Sequence, residues 1–141
     1  MIELVFLGTS ASIPTATRSL PAILVKHEGQ RYLVDCGEGT QLRLMQAGES
    51  LKILHIFLTH DHLDHILGLG GLLFSLSLRR MEPPPHVVVY GGSTTLERAK
   101  ALAAMTRSFP WEHRDIDPSR PARQCADRTI ASRMVRQAKS C

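Results

Sequence analysis

The chain has 141 residues, 43% of them hydrophobic and 21% charged, with a formal net charge of +4. This length and balance fit one domain with an ordinary core and exclude two independent ones. No stretch is long enough to span a bilayer, and three scattered cysteines, Cys36, Cys125 and Cys141, without a CxxC pair, form neither a disulfide framework nor a zinc knuckle, which predicts a reducing, cytoplasmic setting.

Residues 1–106 carry nine Lys/Arg and nine Asp/Glu, whereas residues 107–141 carry eight and four, so the positive excess lies in the tail. A basic tail can hold a polyanion by counterion release, but its composition reads first as solvated chain.

Ile2 to Leu7 predicts a first strand stopped by Gly8; IELVFLG lacks a basic start and is too short for a secretory signal. SASIPTATRS, rich in Ser, Thr and Pro, predicts a loop. Pro21 to Lys26 and Arg31 to Val34 predict two strands joined across Glu28-Gly29-Gln30 as a hairpin. Leu42 to Met45 starts a short helix that Gly48 can end. Ile53 to Leu58 is apolar except for His55, the pattern of a strand covered on both faces.

Ile66 to Leu78 predicts a helix in which Gly68, Gly70 and Gly71 each cost about 1 kcal/mol, implying close backbone approach near its start. Val87 to Tyr90 predicts another buried strand. Thr94 and Glu97 have capping-box spacing, and Leu96, Ala99, Leu102, Ala103 and Met105 follow at helical intervals. Beyond Phe109 the periodicity fails around Pro110, Pro118 and Pro121, and only Thr129 to Val135 reads as a strand. There is no internal repeat and no linker.

The sequence His60, Asp61, His62, Leu63, Asp64, His65 places three imidazoles and two carboxylates directly after a buried strand. In extended chain, alternate side chains point the same way, so His60 and His62 can converge on one ion while the following turn swings Asp64 and His65 towards a second. Neutral imidazole suits zinc or other late divalent metals, and carboxylate suits zinc, manganese or iron. Chance could put one histidine in a hydrophilic loop, but not four ligands at this spacing where α/β proteins build their sites. The other histidines, His27, His55, His86 and His113, read as structural or solvent-exposed.

HDHLDH after a buried strand resembles the HxHxDH signature of the metallo-β-lactamase superfamily, an α/β fold built as an αββα sandwich around a dinuclear metal centre. FLGTSASIPTATRSLPAILV, YLVDCGEGTQLRL and GLGGLLFSLSLRR resemble, within it, ribonuclease Z, the endonuclease that trims the 3′ trailer from precursor tRNA. The resemblance covers about residues 1–118, leaving 119–141 as a basic, atypical tail. It implies the amino-terminal half of such a domain, the first sheet with its helices.

The resemblance further implies that His60 and His62 bind one zinc and that Asp64 and His65 bind the other, with other divalent metals as alternatives. It gives Asp64 the added task of orienting or deprotonating the attacking water. Asp35 matches the first motif of the family and has two readings: an acceptor that locks a ligating histidine, or a cap on the turn Asp35-Cys36-Gly37. Arg18 lies in the loop that the family holds near its substrate, where a cation can contact phosphate. Precursor tRNA as substrate, a homodimer and a cytoplasmic location are implied as well.

A dinuclear centre takes about six or seven protein ligands, and the motif supplies four. The family draws a third histidine, a bridging aspartate and a last histidine from its second half, which has no counterpart in this sequence. Laid on that family's segment, MVRQAKSC puts Gln137 where a histidine would stand, and glutamine is a poor zinc ligand. The family's tRNA-gripping arm finds no counterpart either. The expectation is therefore a ribonuclease Z-like phosphodiesterase impaired by truncation. The alternatives are a non-catalytic remnant or interaction module, and another hydrolase of the metallo-β-lactamase fold. The uncovered apolar face of a half-sandwich predicts association.

Overall fold

The computed structural model describes residues 1–79, 86–106 and 111–116. Three strands, β1 (Ile2–Gly8), β2 (Ala22–His27) and β3 (Gln30–Val34), precede α1 (Thr40–Gln46) and β4 (His55–Phe57). Next come α2 (Leu63–Ile66), α3 (Gly68–Ser77), β5 (Val87–Gly91), α4 (Ser93–Ala103) and β6 (Trp111–Asp115). The strands form one six-stranded sheet in sequence order. β1, β2 and β3 pair antiparallel, whereas β3 to β6 pair parallel.

Local chemistry explains the connections. Antiparallel β2 and β3 are joined by Glu28 and Gly29, whose φ angles of 49° and 75° are those of a type I′ turn, the geometry that matches strand twist. Parallel strands need a crossover, and helices supply it between β3 and β4, β4 and β5, and β5 and β6. Gly48 ends α1 with a φ of 69°, as its position after the helical run predicts.

The core lies between the sheet and α1, α3 and α4. Leu24, Leu33, Ile56, Val87 and Val89 from the strands meet Leu44, Leu69, Leu72, Leu73, Leu76 and Leu96 from the helices in one buried cluster. Burying each such side chain stabilises the fold by about 1.5–3 kcal/mol before entropy is counted. Among the described residues, no helix is long and apolar enough to cross a membrane.

Several sequence expectations change in detail. The ladder of β4 covers only His55–Phe57, although Ile53 and Leu58 are buried as expected of the longer strand. The helix expected from Ile66 to Leu78 is two helices, because the Gly68 N–H leaves the helical pattern to donate to the Cys36 carbonyl at 2.9 Å. The capping box at Thr94 and Glu97 does not form: α4 starts at Ser93 on Gly92, without a side-chain cap, so Thr94 lies inside the helix. Strand β6 was not expected, because Trp111-Glu112-His113-Arg114-Asp115 offers one apolar residue and no alternation. It pairs along β5 at the sheet edge, where backbone bonding needs no apolar face. The strand expected at Thr129 to Val135, Gln137 and the 119–141 tail lie outside the described residues.

His55 belongs to an aromatic row across β3, β4 and β5, with its Nδ1 3.2 Å from the Tyr90 hydroxyl and its ring between Tyr32 and Tyr90. Phe57 stacks on Tyr90 at 4.5 Å in the same row.

Candidate metal centre

Parallel pairing brings the carboxyl ends of β3 and β4 to the same edge of the sheet, and the motif residues gather there. Asp35 follows β3 directly, and its own N–H donates to Phe57 O at 2.8 Å, so its backbone continues the ladder. Its φ of 59° is left-handed, a region in which aspartate is tolerated better than most side chains. This bend points the buried Asp35 side chain, only 10% exposed, towards the segment after β4.

Close backbone contacts fix that segment against the turn. Cys36 N–H donates to His65 O at 2.7 Å, and Gly68 N–H returns to Cys36 O. A Cβ on Gly68 would meet the Gly37 carbonyl oxygen at 2.0 Å, and one on Gly37 would meet the Asp64 carbonyl at 2.6 Å. Both positions require glycine for space. The close approach that Gly68 implies in sequence is therefore present.

The Asp35 carboxylate accepts three hydrogen bonds at this junction. The Thr59 N–H reaches Oδ1 at 2.8 Å, the Thr59 hydroxyl reaches the same carboxylate at 2.8 and 2.9 Å, and His65 Nδ1 lies 2.8 Å from Oδ2. A carboxylate can only accept, so His65 carries its proton on Nδ1. The Thr59 hydroxyl has one hydrogen, directed at Asp35, and His60 Nδ1 stands 2.9 Å from the same oxygen. His60 must then donate from Nδ1 as well. In the neutral rings, both histidines present Nε2 as the bare nitrogen, the form that coordinates a metal. Asp35 thus turns its carboxylate to His65 and Thr59, and no hydrogen bond from it caps the turn that follows.

The three rings form one cluster. His60 lies 4.0 Å from His65 and 4.5 Å from His62, centroid to centroid. Asp64 is placed beside it, with Oδ2 3.5 Å from His65 Nε2 and accepting the Ser12 N–H at 3.0 Å. Burial pushes the Asp64 carboxyl up, but backbone N–H donors from Ser12 and Asp64, with His65 and His62 nearby, outweigh it and hold the group below the usual carboxylate value. Asp61, by contrast, pairs with Arg98 of α4, which also donates to the Asp61 carbonyl at 2.9 Å.

The donors suit a late divalent ion: bare imidazole nitrogens plus a carboxylate. Their geometry stops short of a cage. Among the described residues, no three His, Cys, Asp or Glu side chains form a group able to hold a metal ion as they stand. Two imidazoles on one tetrahedral ion at about 2.1 Å keep their centres roughly 5 Å apart. The rings here pack closer than that, at 4.5 and 4.0 Å, so the donors are gathered but not spaced as ligands of one ion.

Three positioning residues were missed in sequence: Thr59, Ser12 and Arg98. Thr59 directly precedes the motif, and a hydroxyl beside a candidate ligand histidine is a signal that could have been read. Ser12 and Arg98 act from 52 and 37 residues away, and no local spacing reveals them. Arg18 lies exposed in the loop, with its N–H bonded to Thr15 Oγ1 at 2.9 Å, and the described contacts do not join it to the histidines.

Comparison with known proteins is consistent across sequence and structure. Residues 18–122 match the metallo-beta-lactamase superfamily. The chain is 49% identical over 98 residues to ribonuclease Z of Bradyrhizobium diazoefficiens, covering 69% of this chain and 32% of that protein. It is 41% identical over 118 residues to ribonuclease Z of Archaeoglobus fulgidus, covering 83% and 36%. The crystal structure of the short form of human tRNase Z superposes with a TM-score of 0.71 at 33% identity, over 89% of this chain and 48% of that one. The chain spans about a third of the length of the curated relatives it matches.

Proposed function

The chain belongs to the metallo-β-lactamase superfamily, and on that premise we propose that it carries the metal-binding half of a ribonuclease Z-type phosphodiesterase. The observation that carries the reading is the shared Asp35 carboxylate, which fixes His65 directly and His60 through Thr59 with Nε2 available. In this reading His60, His62, Asp64 and His65 hold divalent metal, with zinc the best match to their chemistry, and Asp35 positions two of them.

A phosphodiester is anionic and repels an attacking oxygen. Bound divalent metal supplies Lewis acidity towards water and phosphate oxygens. The chain's own residues do the rest. Asp64 orients or deprotonates the attacking water, Asp35 and Thr59 keep the imidazole protons on Nδ1, and Arg18 contacts a substrate phosphate. Precursor tRNA, the substrate of this reading, is selected by backbone charge and folded shape rather than by the metal. A homodimer in the cytoplasm completes the proposal.

Among the described residues the motif offers four donors, fewer than a dinuclear centre takes, and this favours a second reading in which the chain is a non-catalytic interaction module. The two separate on incubation of the zinc-supplemented chain with a precursor tRNA and with bis(p-nitrophenyl) phosphate. Release of a 3′ trailer supports the first reading. Cleavage of the small diester alone replaces it with a general phosphodiesterase, and cleavage of neither supports the module.

A further inference from the structure

An open cavity of about 320 Å³ lies between the loop after β1, the end of β1 and helix α1. Its polar lining comes from Thr9, Thr17, Arg18, Ser19, Arg43 and Gln46, and it contains no carboxylate. Arg43 is held in place by neutral partners, Nε donating to Ser19 Oγ at 2.5 Å and Nη1 donating to Gln46 Oε1 at 2.9 Å. Its charge is therefore fixed in space and not cancelled. Arg18 is exposed, and among the described residues no acidic side chain pairs with either arginine. Two arginines without an acidic partner, with Thr9, Thr17 and Ser19 beside them in the lining, bring residues suited to a tetrahedral oxyanion to one cavity.

A second cavity, of about 430 Å³, shows what distinguishes this one. It is lined by Arg31 and Lys52, but Glu49 sits 3.3 Å from Arg31 and answers its charge. The loop that carries Arg18 is also tied to the histidine cluster, because Ser12 of the same loop donates to Asp64.

The geometry points to a phosphate-binding subsite formed by Arg18 and Arg43, separate from the metal donors, that takes a phosphate group of a polyanionic substrate or a free phosphate ion. The oxyanion site stands on the two arginines alone; only its occupation by a nucleic-acid backbone rests on the phosphodiesterase reading.

The test titrates the full chain with inorganic phosphate and, separately, with a twelve-nucleotide single-stranded RNA, each with and without EDTA. Variants Arg18→Gln and Arg43→Gln are compared with Lys52→Gln, which makes the same charge change outside the cavity. The expected result is a Kd for phosphate about tenfold weaker in both arginine variants and unchanged in Lys52→Gln, with or without EDTA. If RNA binding weakens alike and its salt slope falls by about one, the occupant is a backbone phosphate. If RNA binding is unaffected, the occupant is a small anion. Arg43 is partly buried, so Arg18→Gln, at an exposed position, decides the case should the other variant unfold. Wild-type affinity in Arg18→Gln, or equal loss in Lys52→Gln, overturns the subsite. Because these arms need no metal, they fail or succeed independently of the histidine cluster.

Discussion

Asp35 and His65, thirty residues apart, meet with Oδ2 2.8 Å from Nδ1. The contact joins the end of β3 to the helix after β4 and leaves His65 Nε2 pointing away from the carboxylate. An Asp35→Asn variant keeps the shape but offers one acceptor oxygen to three donors. Zinc affinity should fall by about 10–100-fold while the circular dichroism spectrum is retained. Titration of both proteins against a competing chelator measures it, and equal affinities would mean that Asp35 does not act on the metal donors.

Thr59 relays the same carboxylate to His60. Replacing it by valine keeps the volume and removes the hydroxyl, so His60 loses the acceptor that holds its proton on Nδ1. Imidazole ¹⁵N shifts at pH 8 should show a mixed tautomer for His60 in Thr59→Val, a single one in the wild type, and little change in Thr59→Ser.

Gly68 packs against the turn that carries Asp35 and Cys36. An added methyl would lie 2.0 Å from the Gly37 carbonyl oxygen, a contact that only backbone movement relieves. Gly68→Ala should cost about 2–3 kcal/mol and lower Tm by at least about 5 °C. At Gly70 the methyl would find ordinary contact, 3.4 Å from Leu102 O, and gain helix propensity. Thermal melts of the two variants should move in opposite directions.

Cys36 is buried beside this turn. Burial pushes its thiol from an ordinary 9.0 up to about 12, with Thr40 opposing and the charge of Asp35 adding to the rise. The folded state therefore favours the protonated thiol. Its contribution to stability is complete below pH 9 and is lost as pH rises from there towards about 12. Iodoacetamide at pH 8.5 should leave the Cys36 peptide unmodified in the native protein and alkylate it in guanidinium, as read by mass spectrometry.

How far the sequence carried this picture differs by element. The hairpin at Glu28-Gly29, the end of α1 at Gly48 and the buried strand before His60 were legible because each has a local signal: a turn dipeptide, a left-handed glycine, an apolar run. The Gly68 break was half legible. Helix-weakening glycines pointed to close approach, but only the fold shows that the partner is the Cys36-Gly37 turn. Strand β6 was illegible, since an edge strand rich in charge has no periodicity to read. Within the site, the spacing pointed to two pairs, His60 with His62 and Asp64 with His65, whereas the three rings gather in one cluster in which His60 lies nearer His65 than His62. The choice between the two readings of Asp35 was not legible, because its partners lie 24 and 30 residues away. The shared use of one carboxylate by two histidines is a tertiary fact.

The most direct test of the account is metal content. The protein, loaded with zinc and passed through a desalting column, is compared by plasma mass spectrometry with His62→Ala and with His86→Ala, whose histidine lies outside the cluster and faces Glu112. The account predicts zinc retained by the wild type and by His86→Ala, and reduced in His62→Ala. Equal content in all three would contradict it.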